Sequence, residues 1–192
     1  MTDGENYRCF MALEVSEGIR RRVLELQSRL AGADAELRLT RPEDLHLTLV
    51  FLGATPVEEV PHLAELMDGV ARFHDPFTFT AAGVSVFGPP GRPRVIWGGI
   101  QPCPPLLRLQ QVLTEGIARM GHPVEERGFV PHLTLARVQA IGNDRSLTTL
   151  LGSITDSSIG EQNVTRLVLM RSGLASANAR YIRLHISPLK GS

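Results

Sequence analysis

The tetrapeptide HLTL occurs twice in this chain of 192 residues, at 46–49 and at 132–135, so the copies stand 86 residues apart. The same offset places the strand-like segment 77–85 on the segment 163–171. Chance recurrence of a leucine-rich tetrapeptide would not also repeat the order strand, helix, strand at a single shift. The sequence therefore predicts one domain over residues 1–192 with two pseudo-symmetric halves.

The spacing of apolar residues predicts a mixture of strands and helices. Runs rich in strand-forming residues predict strands at 7–15, 46–53, 77–87, 94–100, 132–137, 163–171 and 180–187. Helical spacing predicts helices after Ser16, along the stripe from Val60 to Val70, at 105–120 and at 145–152. The segment between the first helix and residue 46 is predicted to be a loop, and the breaker cluster at 88–92 (GPPGR) to be a linker.

Composition excludes several classes of protein. With 43% hydrophobic residues the chain can bury a core, and 20 basic residues balance 20 acidic ones. No global positive field exists to hold a long polyanion, so a nucleic-acid partner would be bound locally. The polar start and the lack of a long apolar run predict a cytoplasmic protein without membrane contact. Cys9 and Cys103, in no CxxC arrangement, are predicted to be reduced thiols without a structural role.

Strand alternation separates the side chains of each HLTL copy into two faces. In the first copy His46 and Thr48 point to one face, while Leu47 and Leu49 point to the other. The second copy repeats this pattern with His132 and Thr134. Pseudo-two-fold packing would bring the two polar faces together across a cleft, so that two imidazoles and two hydroxyls converge.

The chemistry available to this set of groups is limited. Zinc sites use three or four protein ligands, whereas each copy supplies one imidazole, so we expect no metal. A nucleophilic threonine is possible but would hardly require two symmetric copies. General acid-base catalysis at phosphorus fits better, since one neutral imidazole can take a proton from water while a protonated one gives a proton to the departing oxygen.

Four segments carry a resemblance to a known superfamily. They are residues 41–53 (RPEDLHLTLVFLG), 129–137 (FVPHLTLAR), 8–13 (RCFMAL) and 94–97 (RVIW). Together they resemble the two-histidine phosphoesterases, and more narrowly the bacterial and archaeal RNA 2′,3′-cyclic phosphodiesterases, which were once described as 2′-5′ RNA ligases. The resemblance covers essentially the whole chain.

The resemblance implies both a fold and an activity. The fold is α+β, with two lobes that are each an antiparallel sheet flanked by helices, around a central cleft. The activity is hydrolysis of a 2′,3′-cyclic phosphate to a 2′-phosphate without metal or other cofactor, on RNA 3′ ends or small cyclic nucleotides, by a protein we expect to be a monomer. The site roles that it implies are His46 as proton donor, His132 as proton acceptor, and Thr48, Thr134 and Arg137 as phosphate-binding residues.

The role implied for Arg137 requires that its side chain lie on the same face as His132. Strict alternation from His132 puts Arg137 on the leucine face. A β-bulge or the end of the strand must therefore turn its side chain toward the site. Near the chain's end Asn178 stands where related sequences usually have a glycine, and we expect the turn to survive because asparagine tolerates the left-handed conformation.

Three other functions stay open. The cleft could bind nucleotides without turnover, it could join RNA ends through a reversible 2′-5′ ligation, or the histidines could merely cap the core of a scaffold. Trp97 and Phe129 are candidates for base stacking, although a core position is favoured for both. No functional role is expected for the remaining histidines, His62, His74, His122 and His185.

Overall fold

The computed structural model describes residues 5–89, 91–125, 128–173 and 181–192. The strands are β1 (Asn6–Glu14), β2 (Ala35–Leu39), β3 (His46–Pro56), β4 (Phe77–Phe87), β5 (Val95–Ile100), β6 (His132–Ile141), β7 (Ser158–Val164), β8 (Arg166–Ser172) and β9 (Tyr181–Pro188). The helices are α1 (Glu17–Leu30), α2 (Val60–Ala71), α3 (Pro104–Arg119) and α4 (Asp144–Ile154), and single 3₁₀ turns lie at Pro42–Asp44 and Val57–Glu59. The segment 88–92, predicted to be a linker, lies in the connection between the paired strands β4 and β5, of which residue 90 is outside the described residues.

The strands form two antiparallel groups that meet edge to edge. The order along the sheet is β7-β4-β5-β6-β3-β1-β8-β9. Strand β2 lies off this path and pairs with residues 136–141 of β6, beyond the point where β3 pairs with it. Helices α1 and α4 pack on the group that contains β6, and α2 and α3 pack mainly on the group that contains β3. The prediction of an α+β fold with two lobes is confirmed. The structure adds that the two lobes share one hydrogen-bonded sheet.

Strands related by the 86-residue offset occupy matching places in this order. Strands β3 and β6 lie at the centre, while β4 and β8 each lie two strands further out. Strand β4 belongs to the lobe of β6, and β8 belongs to the lobe of β3, so each half of the sequence contributes a strand to the other lobe. This order agrees with an internal repeat, and the assignment of 1–192 to one repeated domain stays a prediction.

Two predictions about strands are wrong. The expected loop after α1 contains β2. This strand has only five residues, which is too few for an alternation of apolar and polar residues to be recognised in the sequence. The single strand expected at 163–171 is two strands separated at Thr165, of which β7 pairs with β4 in one lobe and β8 with β1 in the other. Apolar alternation cannot show that a chain changes its pairing partner. Asn178 and the turn expected there lie outside the described residues.

The helices bury the faces that the sequence predicts. Helix α1 begins after Ser16, whose hydroxyl accepts a hydrogen bond from the Ile19 amide. The buried residues of α1 include Ile19, Val23, Leu26 and Leu30. In α3 the offset partner of Leu26 is Val112, which is 38% exposed, and Leu113 is the buried residue instead. The repeat is therefore shifted by one residue at this point.

The core lies mainly between the helices and the sheet. A second, smaller cluster lies on the other face of the β3 lobe and contains Phe10, Ala12, Val168 and Met170, with Tyr181 packed against it. Cys9 and Cys103 are both buried and form no disulfide, as predicted. Among the described residues no helix is long and apolar enough to span a membrane.

Candidate active site

The two HLTL strands meet at a single residue pair. Leu47 of β3 lies opposite Leu133 of β6 in antiparallel register, and both side chains are fully buried. The residues that flank each leucine therefore point to the other face, where each histidine comes opposite the threonine of the other strand. This junction brings four of the predicted site residues onto one face: His46, Thr48, His132 and Thr134.

Both histidines are held in the same way. The Nδ1 atom of His46 lies 2.7 Å from the carbonyl oxygen of Asp44, and that of His132 lies 2.8 Å from the carbonyl oxygen of Val130. Because a carbonyl only accepts hydrogen bonds, each Nδ1 donates, and the neutral ring keeps its lone pair on Nε2. Neither Nε2 has a hydrogen-bond partner among the described residues, so both are available to a substrate.

Aromatic rings surround His46. The ring of Phe10 lies 4.8 Å from the imidazole, and Tyr181 meets it edge-on at 4.9 Å. This burial lowers the pKa of His46, the Asp44 carbonyl and carboxylate oppose the decrease, and the charge of His132 lowers the pKa further. The two imidazoles are thus near enough to interact, and His46 is favoured in its neutral form in the unliganded protein.

Aromatic rings also surround His132. Phe87 meets the imidazole edge-on at 4.9 Å, and the Trp97 ring lies 6.0 Å away, stacked on Phe87. The indole Nε1 of Trp97 is buried and has no hydrogen-bond partner among the described residues. Phe129, the other candidate for base stacking, instead packs against the main core. Of the two aromatic candidates from the sequence, only Trp97 lies beside a motif histidine.

A β-bulge turns Arg137 toward the site. Strand β5 pairs with Thr134 and next with Ala136, so Leu135 is an extra residue in β6. Leu135 and Ala136 are both fully buried, which reverses the alternation after this point. Arg137 consequently lies on the same face as Thr134 and is exposed. Of the two alternatives predicted from the sequence, a β-bulge or the end of the strand, the structure has the bulge.

A side chain from α1 reaches this bulge. Gln27 is 3% exposed, and its Nε2 donates to the carbonyl oxygen of Leu135 at 2.8 Å and to that of Thr40 at 2.7 Å. The amide of Thr40 also donates to the Leu135 carbonyl. Gln27 thus ties the bulge in β6 to the segment that leads into His46. Nothing in a helical pattern marks one glutamine as buried, so this residue is not predicted from the sequence.

Strand β2 adds a second arginine to the same face. Arg38 lies directly opposite Arg137 in the register of β2 and β6, and paired residues of a sheet share a face. Arg38 is exposed. Arg38 is not among the residues predicted from the sequence, because β2 itself was expected to be a loop.

The first HLTL strand carries an aromatic residue where the second carries arginine. Strand β1 pairs with Thr48 and next with Val50, so β3 has a bulge at Leu49 like that of β6. Phe51, which stands 86 residues before Arg137, therefore joins the polar face and is 56% exposed. The two ends of the site consequently differ in chemistry although their backbones are alike.

A cavity of about 370 Å³ lies next to His46, and its lining includes Tyr181, Glu14 and Arg183. The Glu14 carboxylate accepts hydrogen bonds from Arg183 at 2.7 Å and from Arg166 at 2.8 Å. These two guanidinium groups offset its negative charge, so the carboxylate does not exclude an anion from the cavity.

Comparison with known proteins places the chain in a family. The sequence profile of the LigT-like phosphoesterases matches residues 13–97. An RNA 2′,3′-cyclic phosphodiesterase from Methanothermobacter thermautotrophicus is 32% identical over 179 residues, which are 93% of this chain and 97% of the relative. A protein of the same name from Archaeoglobus fulgidus is 30% identical over 93% of this chain and 98% of the relative.

The chain belongs to the LigT-like phosphoesterase family.

Solved structures agree with this assignment. The Thermus thermophilus protein TT0787 matches this LigT-like chain with a TM-score of 0.81 and 29% identity, over 96% of this chain and 98% of its own. Escherichia coli LigT complexed with 3′-AMP matches with a TM-score of 0.76 and 28% identity, over 96% and 99%. The prediction of a two-histidine phosphoesterase from the sequence is thereby confirmed.

The other histidines of this LigT-like phosphoesterase have structural partners or lie on the surface. His185 Nε2 lies 2.8 Å from the Asp68 carboxylate, and His122 Nε2 lies 3.0 Å from that of Glu59. His74 Nδ1 donates to the carbonyl of Val70 at 2.8 Å, and His62 is exposed on α2. Among the described residues no three side chains of His, Cys, Asp or Glu are placed to hold a metal ion.

Proposed function

We propose that this LigT-like phosphoesterase hydrolyses 2′,3′-cyclic phosphates, at RNA 3′ ends or on small nucleotides, to 2′-phosphates. The observation that carries the proposal is the paired arrangement of His46 and His132, each with Nδ1–H donated to a backbone carbonyl and Nε2 free. The two groups can therefore act on opposite sides of one phosphorus atom. Its relatives named RNA 2′,3′-cyclic phosphodiesterase support the reaction class.

The reaction is a displacement with balanced proton transfer. Neutral His132 takes a proton from water through Nε2, and the water oxygen forms a bond to phosphorus. The bond between phosphorus and O3′ breaks as protonated His46 gives a proton to that oxygen. The product carries a 2′-phosphate and a free 3′-hydroxyl, and each proton transfer accelerates the reaction roughly 10²- to 10⁴-fold.

The remaining site residues bind the phosphate. The hydroxyls of Thr48 and Thr134 donate to the non-bridging oxygens, and Arg137 supplies a positive charge from the end of the bulge. No step requires a metal ion, because both proton transfers and charge stabilisation come from side chains. Phe51 offers an exposed ring on the same face, on which a nucleobase can stack.

The role of proton donor requires that the bound substrate raise the pKa of His46, which burial lowers. Burial favours neutral His46 in the free protein, whereas a proton donor must be charged. A bound phosphate brings negative charge next to the imidazole and raises its pKa. The donor form of His46 is therefore produced mainly when substrate is present.

Product analysis tests the proposal. Adenosine 2′,3′-cyclic phosphate is incubated with the protein in EDTA, and the products are separated by chromatography. We expect 2′-AMP as the product and no effect of EDTA. Absence of turnover together with measurable binding would favour the nucleotide-binding alternative, while activity that requires an added divalent cation would refute the metal-free scheme.

Ligation is tested by supplying an RNA with a 5′-hydroxyl, which would replace water as the nucleophile.

E. coli LigT has been crystallised with 3′-AMP, NADP⁺ and ATP, which supports a nucleotide as the ligand of this cleft. The monomeric state and the cytoplasmic location stay predictions, and size-exclusion chromatography with light scattering tests the first of them.

A further inference from the structure

Two arginines face each other across β2 and β6 without a counterion. Arg38 and Arg137 are direct cross-strand partners, an arrangement that destabilises a sheet when both residues carry the same charge. Both are exposed, and neither forms an ion pair with any carboxylate of the described residues. An anion bound between them would remove the repulsion.

The arginine pair faces the His46 side of the cleft. The bulge at Leu135 puts Arg137 on the site face, and Arg38 shares that face as its partner. Burial and the Asp44 carboxylate raise the pKa of Tyr181, and the charges of Arg137 and Arg38 oppose that increase. Tyr181 in turn meets the His46 ring edge-on at 4.9 Å. The positive charge of the pair therefore acts beside His46.

The reaction geometry determines which part of the substrate comes to this side. In the proposed reaction His46 protonates O3′, so the ribose lies on the His46 side of the phosphorus and water on the His132 side. The 5′ end of that ribose leads away from the reacting phosphate. Because Leu135 is an extra residue, Arg137 stands only two positions of β5 beyond Thr134, about 7 Å along the strand. A second phosphate attached to the 5′ oxygen is thus the anion within reach of the pair.

We propose that Arg38, paired with Arg137, binds the phosphate on the 5′ side of the terminal nucleotide, so that a 5′-phosphate on a cyclic nucleotide raises kcat/KM through this residue. This inference rests on the proposed function. Arg137, which also reaches toward the reacting phosphate, shares this second phosphate with Arg38. A guanidinium suits this contact because it donates two parallel hydrogen bonds to a phosphate.

The test isolates the 5′ phosphate from any extra base. Values of kcat/KM are measured for adenosine 2′,3′-cyclic phosphate and for the same compound with a 5′-phosphate, using the wild type and Arg38→Ala. We expect the 5′-phosphate to raise kcat/KM about tenfold in the wild type and to have almost no effect in the variant. Arg108→Ala, which removes an exposed arginine from α3, is the matched control and should behave as the wild type.

Several outcomes of this kcat/KM comparison would contradict the proposal. Equal loss on both substrates in Arg38→Ala, or an unchanged preference for the 5′-phosphate, overturns the proposal. A wild type without such a preference overturns it too. If the wild type hydrolyses neither compound, the proposed function itself has failed. Thermal unfolding distinguishes a structural role, since removal of the like-charge pair should leave the midpoint unchanged or higher, whereas a supporting role for Arg38 would lower it.

Discussion

At the scale of single residues, the backbone carbonyls of Asp44 and Val130 determine what the two histidines can do. Each carbonyl accepts the Nδ1 proton of the histidine two residues later and so fixes both the tautomer and the direction of the ring. The residues before each motif, and not the motif alone, thus prepare the two Nε2 atoms for proton transfer.

We expect His46→Ala and His132→Ala each to reduce kcat/KM on a 2′,3′-cyclic phosphate by at least about 10²-fold, because each removes one proton-transfer group. Circular dichroism should show an intact fold, since both side chains face the cleft. His62→Ala on the exposed face of α2 is the control and should retain full activity. A folded His46 or His132 variant with a near-normal rate would exclude that residue from the mechanism.

The sequence could predict the motif residues but not their surroundings. Alternation alone puts His46, Thr48, His132 and Thr134 on one face, because leucines at the intervening positions require burial. Arg38 could not be predicted, since its role depends on pairing with Arg137 across strands that are far apart in the chain. The same is true of the Tyr181 ring beside His46.

At the scale of elements, the paired bulges in β3 and β6 adapt regular strands to the site. Each bulge adds one buried residue directly after the motif threonine and brings the following exposed residue to the site face. For Arg137 the sequence predicts either such a bulge or the end of the strand, but it does not show that the extra residue is Leu135. Only the register of β5 shows it, and register is a long-range property.

Gln27 of α1 offers a test of how the β6 bulge is held. We expect Gln27→Leu to destabilise the fold by about 1–3 kcal/mol, because the partly buried carbonyl of Thr40 loses its donor at 2.7 Å. Denaturation with urea measures the change, and kcat/KM should fall as well because Arg137 follows the bulge. Gln111→Leu on the exposed face of α3 is the control, with an expected change within about 0.5 kcal/mol. A Gln27→Leu variant of normal stability would show that the bulge needs no support from α1.

Asp68 joins α2 to the last strand. Its Oδ1 accepts hydrogen bonds from Ser187 at 2.7 Å and from His185 at 2.8 Å. Burial acts to raise the pKa of Asp68, but these two partners outweigh it and hold the pKa below the ordinary value of 3.8. A carboxylate with a depressed pKa stabilises the fold above its unfolded-state pKa, and this contribution is lost as pH falls through the folded-state value.

We therefore expect Asp68→Asn to lower the thermal midpoint near neutral pH by no more than about 3 °C, since the carboxylate is partly exposed. The difference from the wild type should shrink as the pH falls below 3.8. Asp75→Asn, an exposed carboxylate 3.1 Å from Lys190, is the control and should change the midpoint less. A difference that persists unchanged into acid would mean that the charge of Asp68 does not stabilise this contact.

At the scale of the whole molecule, the two lobes form one sheet through the Leu47–Leu133 pair, and the site lies on their junction. We propose that residues 1–192 are a single bilobal domain derived from an internal repeat. The exchange of β4 and β8 between the lobes means that neither half of the sequence contains a complete lobe. Such interleaving is invisible in a sequence, whereas the offset that reveals the repeat is visible directly.

The balance of 20 basic and 20 acidic residues predicts that kcat/KM for an RNA substrate depends only weakly on salt concentration. Two phosphates bound by local arginines should give a slope of about −1 to −2 when log(kcat/KM) for a short RNA 3′ end is plotted against log salt concentration. The measurement uses an oligonucleotide that ends in a 2′,3′-cyclic phosphate. A slope steeper than about −4 would point to an extended basic track instead of a local site.

The dependence of kcat/KM on pH tests the two-histidine account most directly. An ordinary imidazole titrates near pH 6.5, and burial lowers the pKa of His46. If His132 must be neutral and His46 charged, the wild-type profile is a bell whose limbs belong to the coupled pair. The alkaline limb of kcat should lie at higher pH than that of kcat/KM, because bound phosphate raises the pKa of His46.

Single variants then assign the limbs. His132→Ala should lose the acid limb and keep the alkaline one, and His46→Ala should do the reverse. A wild-type rate that rises steadily through pH 9 would contradict the account, because no protonated histidine would then be required.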